Sequence, residues 1–367
     1  MKITGIEIYR ISLPLVEPQK SASYGGFILV ETLMGVLVKA TVDDGIMGVG
    51  TAATVPGYAG MTQDTIIDVL KFLSPHLVGL DPFNIEQVHN RMDERIVGNT
   101  PAKSAIDMAL YDIMGKATNR PVHQLLGGRV RQDFVTDRAL FTQDKSPEQV
   151  AKDAVKAVEL GYRGFEVHVG SGFSEDVANI KAIKDAVGDV VIVADAHQHW
   201  SVKEAIRTIK ALERYDAIIE QPTRGIENMA EVKRAVDAII TADEGCFTVD
   251  DALRIILNRA ADAVTVKIPK AGGLYPAKKI VTLADAAGLH VRIDGVPGDT
   301  RISNTAAAHL GTTIRRLLPG SGVMQHQYYL KDDVASEGGL IFKDGKASVN
   351  DTPGIGVKHK ENLLTRA

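Results

Sequence analysis

The sequence predicts an α/β protein, a (β/α)8 barrel preceded by a smaller α+β domain. Three observations predict it. From Phe134 onward, short apolar runs alternate with helical stretches, the pattern of a parallel sheet. Four of those runs, VVIVAD, DAIIE, AIITAD and DAVTVK, end on Asp195, Glu220, Asp243 and Lys267, at intervals of 25, 23 and 24 residues. That interval is about one strand, one helix and two turns, the repeat of such a barrel. The length of 367 residues accommodates one large barrel and one smaller domain.

The N-terminal part reads β-rich. Residues 3–11 alternate as a strand does, and residues 36–41 and 46–50 flank Asp43-Asp44-Gly45, a tight hairpin turn. Between the first two strands, PLVEPQKSASYGG reads as a polar lid-type loop, and TAATVPGYAGM after the hairpin as a second loop. Helical periodicity follows over residues 62–73, 84–95 and 102–117. These elements set an α+β domain at 1–125. The barrel is expected over 126–329. Its first helix opens with a Ser146 cap, Pro147 at the first helical position and Glu148 close behind. FEVHV, VVIVAD, DAIIE, AIITAD, DAVTVK and HVRID are its strands, with two more near Val135 and Leu317. Residues 330–367 are turn-rich with strand-like pieces and are expected to complete the first domain.

Bulk properties exclude several classes. A net charge of −4 without a basic stretch argues against nucleic acid. No uninterrupted apolar run is long enough for a bilayer, and the alternating N-terminus lacks a signal-peptide core. Cys246 is the only cysteine, which fits a reducing compartment, so the expected location is the cytoplasm.

A single acid after a strand is ordinarily a helix cap. Three in register, followed by a lysine in register, point elsewhere. Parallel strands would bring Asp195, Glu220 and Asp243 together, where their mutual repulsion calls for a divalent cation. All-oxygen ligation suits Mg²⁺, Ca²⁺ or Mn²⁺ better than Zn²⁺.

Longer motifs carry a resemblance over essentially the whole chain. AKSAIDMALYDIMGKATNRPVHQLLGG at residues 102–128, DGIMGVG in the hairpin, the strand ends ADAH, IIEQP and TADEG, and VKIPKAGGL resemble the muconate-lactonizing-enzyme subgroup of the enolase superfamily. The resemblance implies a modified (β/α)8 (TIM-like) barrel with an N-terminal α+β capping domain. It also implies Mg²⁺, with Mn²⁺ as the alternative, on Asp195, Glu220 and Asp243, and Lys267 as catalytic base. The implied chemistry removes the proton α to the carboxylate of a small substrate, giving an enolate; a homo-oligomer is expected. That chemistry is physically coherent. A cation held by three acids offsets the second negative charge of the enolate. A lysine, with an ordinary pKa of about 10.4, needs burial or a nearby positive charge to act as base.

The second barrel strand departs from the family. Where the family carries Lys-x-Lys, this chain has Glu166-Val167-His168. Glu166 and His168 share one strand face. His168 is a competent base near neutrality, and Glu166 would raise its pKa and orient the ring; the alternative is a structural pair. Thr51 replaces an acid after the hairpin, His197 replaces an Asn, and Asp299 falls where a seventh-strand Glu is common. Glu244 is expected to accept from Lys267 or to orient a ligand, and Lys270 to pack outside the site. Tyr24 and Tyr58, in loops 21–27 and 54–61, are the candidate specificity residues. The expected function is an isomerase, either racemase/epimerase or cycloisomerase. A dehydratase using His168 as acid is the alternative, and a catalytically decayed ligand-binding protein the third.

Overall fold

The computed structural model describes residues 1–23, 26–54 and 56–367, with all their side chains except those of 19–23, 26–28, 58, 59, 325 and 328. The chain opens with an antiparallel meander of β1 (Ile3–Ser23), β2 (Gly26–Val42) and β3 (Met47–Ala53). The hairpin turn lies where the sequence places it, closed by Gly45 N–H to Val42 O at 2.9 Å. The described residues of the expected lid loop are strand rather than loop. β1 and β2 continue through it as a two-stranded ribbon from Gln19↔Val30 to Ser23↔Gly26. A register shift between Pro14 and Gln19 absorbs the prolines, which have no N–H for the ladder. In TAATVPGYAGM, β3 takes the first residues and a helical turn, Pro56–Ala59, takes others.

Helices Gln63–Leu77, Ile85–Arg95 and Thr100–Thr118 cover this sheet. The last is buried along nearly its whole length, because the sheet packs on one side and the barrel on the other. The glycines of DGIMGVG make the close approach possible. A Cβ on Gly48 or Gly50 would lie 2.1 Å from the backbone oxygen of Ala109 or Ala105.

Seven parallel strands then follow in sequence order: β5 (Arg138–Leu140), β6 (Gly164–His168), β7 (Val191–Asp195), β8 (Ile218–Glu220), β9 (Ile240–Ala242), β10 (Ala263–Lys267) and β11 (His290–Asp294). The two outermost expected strands behave differently. β4 (Asp133–Val135) leaves the barrel and pairs antiparallel with Lys346–Val349. Near Leu317 there are only the bridges Val291↔Leu317 and Asp294↔Gly322. This irregular segment closes the ring, since Gly320 and Ser321 N–H groups donate to Val135 O and Thr136 Oγ1 donates to Ser321 O. Pro319 has no ladder donor and Gly320 has φ +76°, so a regular strand cannot form there. The protein is a modified (β/α)8 barrel with an N-terminal α+β cap.

The tail touches both parts. Thr365–Arg366 extends the cap sheet beside β1, and Lys39 of β2 donates to Glu361 at 2.7 Å. Leu340–Lys343 and Lys346–Val349 pack instead beside β4. Thr51 and Thr300 hydroxyls lie 2.9 Å apart, placing the C-terminal end of β3 against the barrel mouth. No helix among the described residues is long and apolar enough to cross a membrane.

Candidate active site

Asp195 and Glu220 end β7 and β8, and Asp243 follows β9; all three side chains are buried. Register explains their convergence. Asp195 pairs with Glu220, and Glu220 pairs with Thr241, two residues before Asp243 and on its face. One ligand atom from each lies within 4.8 Å of the others. Asp195 Oδ1 accepts from the His197 N–H at 2.8 Å. Glu220 Oε2 accepts from Arg292 Nη1 at 2.7 Å, whereas Oε1 has no hydrogen-bond partner among the described residues. Asp243 Oδ2 accepts from Lys267 at 2.8 Å and Oδ1 from Lys270 at 2.5 Å.

Burial and the neighbouring Glu220, Glu244 and Glu166 push Asp195 well above the ordinary carboxylate range. Burial likewise pushes Glu220 up to about 8; Arg292 opposes the shift, and Asp243 and Glu166 add to it. Asp243 goes the other way: burial raises it, but Lys267 and Lys270 together hold it below the ordinary range. The cluster therefore carries more carboxylate than its own cations can neutralise. An orphaned, buried Glu220 oxygen within an all-oxygen set fits a divalent cation such as Mg²⁺ or Mn²⁺.

Lys267 ends β10, with its Nζ also 3.0 Å from Asp294 Oδ2. Lys270 overturns the expectation that it packs outside. It is buried and donates to Asp243 Oδ1, Asp243 O and Thr265 O. A one-turn helix, Ile268–Ala271, directly after β10 folds the side chain back under Asp243. Burial and the Asp243 charge push Glu244 up to about 7, and its Oε2 is buried without a partner among the described residues.

Across the mouth, His168 ends β6 opposite Asp195. Its Nε2 lies 3.2 Å from Glu166 Oε1, and its Nδ1 is buried without a hydrogen-bond partner among the described residues. Burial pushes Glu166 up, but Arg292, His168 and Lys267 outweigh it and hold this group well below the ordinary range. An ionised Glu166 can only accept, so in the neutral form of the ring the proton lies on Nε2 and the lone pair on Nδ1. The His168 ring packs 4.7 Å from both Phe141 and His197. His197 Nδ1 is 3.2 Å from Asp195 Oδ1; burial, His168 and Lys267 lower it to about 3, which keeps the ring neutral near pH 7.

Asp299 is buried beside the cap junction, accepts from Val296 N–H at 2.9 Å and is raised to about 6 by burial. Tyr24 lies outside the described residues. Tyr58 belongs to the turn Pro56–Ala59, with its side chain outside the description. A cavity of about 770 Å³ opens between Glu17, Pro18 and Leu29 of the cap and Phe141, Gln143 and Tyr329 of the barrel.

Arg292, Asp294 and Asp137 are the residues the sequence did not single out. Arg292 is fully buried, donates to Glu220, Glu166 and Asp137 and lies 3.3 Å from Asp294. The signal was in HVRID, where a charged residue alternates with Val291 and Ile293 and so must face the barrel interior.

A parallel barrel presenting three acids and a lysine at its strand ends, under an α+β cap, defines an enolase-type protein. Residues 18–127 match the mandelate racemase / muconate lactonizing enzyme N-terminal domain, and residues 149–363 match the enolase C-terminal domain-like family. The chain belongs to the mandelate racemase/muconate lactonizing enzyme subgroup of the enolase superfamily. It is 34% identical to the N-succinyl-L-Arg/Lys racemase of Bacillus cereus, over 99% of this chain and 97% of that protein. The crystal structure of that racemase superposes with a TM-score of 0.92 at 31% identity, covering 99% of this chain and 97% of the other. The dipeptide epimerase of Enterococcus faecalis V583, complexed with Mg and L-Leu-L-Tyr, superposes with a TM-score of 0.90 at 31% identity, covering 98% of this chain and all of that one. The cis-3-hydroxy-L-proline dehydratase of Roseibium aggregatum is 32% identical over 97% of this chain and 96% of that protein.

Proposed function

We propose that this chain is a Mg²⁺-dependent racemase or epimerase that removes and returns the proton α to the carboxylate of a small substrate. Asp195, Glu220 and Asp243 are its metal ligands and Lys267 and His168 its two bases. The observation that carries the reading is a basic side chain on either side of the acid cluster: Lys267 against Asp243, and His168, whose Nδ1 has no hydrogen-bond partner among the described residues, beside Asp195. Mg²⁺, when bound, supplies positive charge for the second negative charge that develops on the substrate carboxylate.

The chain's own residues do the rest. Glu166 holds the His168 Nε2 proton, which presents the Nδ1 lone pair as acceptor and stabilises the imidazolium once Nδ1 takes a proton. Lys267 Nζ, between Asp243 and Asp294, exchanges a proton on the opposite face. Removal by one base and return by the other inverts the α-carbon. The Phe141–Tyr329 cavity would accept the remainder of the substrate. Two relatives that invert amino-acid centres, the racemase and the epimerase, support this choice over cycloisomerisation.

Dehydration is the second reading, favoured by the same histidine: an imidazolium at His168 is an acid able to protonate a departing β-hydroxyl. Incubation in D₂O with Mg²⁺ and a panel of N-acyl amino acids, dipeptides, cyclic amino acids and acid sugars tests both. Washout of the α-proton with inversion supports the racemase, and washout with elimination supports the dehydratase. Absence of exchange across the panel, in protein that binds Mg²⁺, would leave a ligand-binding role.

A further inference from the structure

We infer that Arg292 is a positioning residue serving both halves of this site: it fixes the ligand edge of Glu220 and, through Glu166, the tautomer and direction of His168. The inference rests on the proposed metal and base roles above and assigns a function to a residue they do not use.

The geometry is specific. A guanidinium has five N–H donors in a rigid fork. Nε donates to Gly320 O at 2.8 Å, anchoring the group to the segment that closes the barrel. Nη1 donates to Glu220 Oε2 at 2.7 Å and Nη2 to Glu166 Oε2 at 2.5 Å and Asp137 Oδ2 at 2.8 Å. Nη1 also lies 3.3 Å from Asp294 Oδ2, the oxygen that stands 3.0 Å from Lys267 Nζ. Arg292 therefore grips one oxygen of each glutamate and leaves the other for its task. Glu220 keeps Oε1 without a hydrogen-bond partner among the described residues, and Glu166 keeps Oε1 for His168 Nε2.

This also explains how the second strand tolerates the change from Lys-x-Lys to Glu-x-His. A lone buried carboxylate at 166 would add negative charge to a cluster already short of cations. Arg292 enters from β11 and returns the positive charge from across the barrel. Lysine at 292 could not reproduce it, because three donors on a flexible stem cannot hold Glu220, Glu166 and Asp137 in one plane.

Mn²⁺ binding followed by EPR, together with ¹⁵N NMR of the His168 ring, tests the inference without any substrate. Arg292→Met should weaken Mn²⁺ binding about 10- to 100-fold, the usual effect of losing a ligand's supporting partner. It should also shift His168 from a single Nε2–H tautomer to a mixture. Arg292→Lys should recover part of the affinity. Glu166→Gln should change the His168 signals while leaving Mn²⁺ affinity within about threefold, since it does not touch the Glu220 contact. If Arg292→Met fails to fold, Arg292→Lys and the double variant Arg292→Met with Glu166→Lys, which moves the cation to β6, give the same reading: both should fold, and both should bind Mn²⁺ more weakly than the parent, because neither restores the guanidinium fork on Glu220. Folded Arg292 variants that bind Mn²⁺ as the parent does, with unchanged His168 signals, would overturn the role of Arg292. A parent protein that binds no Mn²⁺ overturns instead the metal assignment beneath it.

Discussion

The two flanks of the barrel mouth hold their charge in opposite ways. On the β9–β10 side, Asp243 is gripped by two lysines of the same sequence motif, VKIPK, so acid and cations come from neighbouring strands. On the β6 side, the carboxylate is Glu166, the cation is Arg292 from β11, and the group beside them, proposed here as a base, is the His168 imidazole. The first flank keeps the family's pattern, and the second rebuilds it with other residue types. The difference teaches that charge balance around the acids can be reached by different residue types, and on the proposed reading each face also keeps a proton acceptor. The residue that supplies either can change if a partner elsewhere in the ring changes with it.

The largest effect is expected where the flanks meet. Replacing Asp195, Glu220 or Asp243 by Ala should lower α-proton exchange by at least about 10³-fold, because several kcal/mol of charge stabilisation is lost. Exchange surviving near parental rates would break the comparison at its centre. Lys267→Ala should come next, costing about 10²- to 10⁴-fold in turnover. His168→Asn should cost a similar or smaller amount, and only in the steps that use its face. Equal, total loss of all exchange in both variants would show that the flanks are not separable.

The smallest effect sharpens the charge argument. In the metal-free protein Glu220 is raised to about 8 and Asp195 is also raised, so these two groups bind more protons in the folded than in the unfolded chain above about pH 4.5. Stability then falls as pH rises across that window, because its slope follows protons bound unfolded minus protons bound folded. Glu166 and Asp243 are depressed and act in the other window: their stabilisation is present above the ordinary carboxylate range and is lost as pH falls below it. Thermal denaturation from about pH 5 to 8 should show Tm declining with pH, by a few degrees at most, and Mg²⁺ should raise Tm most at the alkaline end. A metal-free Tm that rises over that range would contradict these assignments.

Much of this was legible in the sequence, for definite reasons. The parallel barrel and the acid cluster were readable because strand ends recur at a fixed interval and side chains at equivalent ends must converge. Glu166 and His168 were readable as one pair because residues two apart on a strand share a face. The ribbon of β1 and β2 was hidden by Pro14 and Pro18, which mimic a loop while a register shift keeps the strands paired. The eighth barrel position was hidden because it is filled by bridges and side-chain bonds around Pro319 and Gly320. Lys270 was misplaced because its direction depends on a one-turn helix after β10. Arg292 stood in an apolar strand as a clear anomaly, but its four acidic neighbours come from four separate strands or strand ends, which no local pattern joins.

The central claim is that two different bases face one α-carbon, and stereospecific exchange tests it most directly. With a substrate identified, each enantiomer is incubated in D₂O with His168→Asn and with Lys267→Ala protein, and α-deuterium is followed by NMR. The account predicts complementary behaviour: each variant exchanges the proton of one enantiomer without inverting it, and the two variants choose opposite enantiomers. If His168→Asn still exchanges and interconverts both enantiomers at parental rates, His168 is structural and the two-base account is wrong.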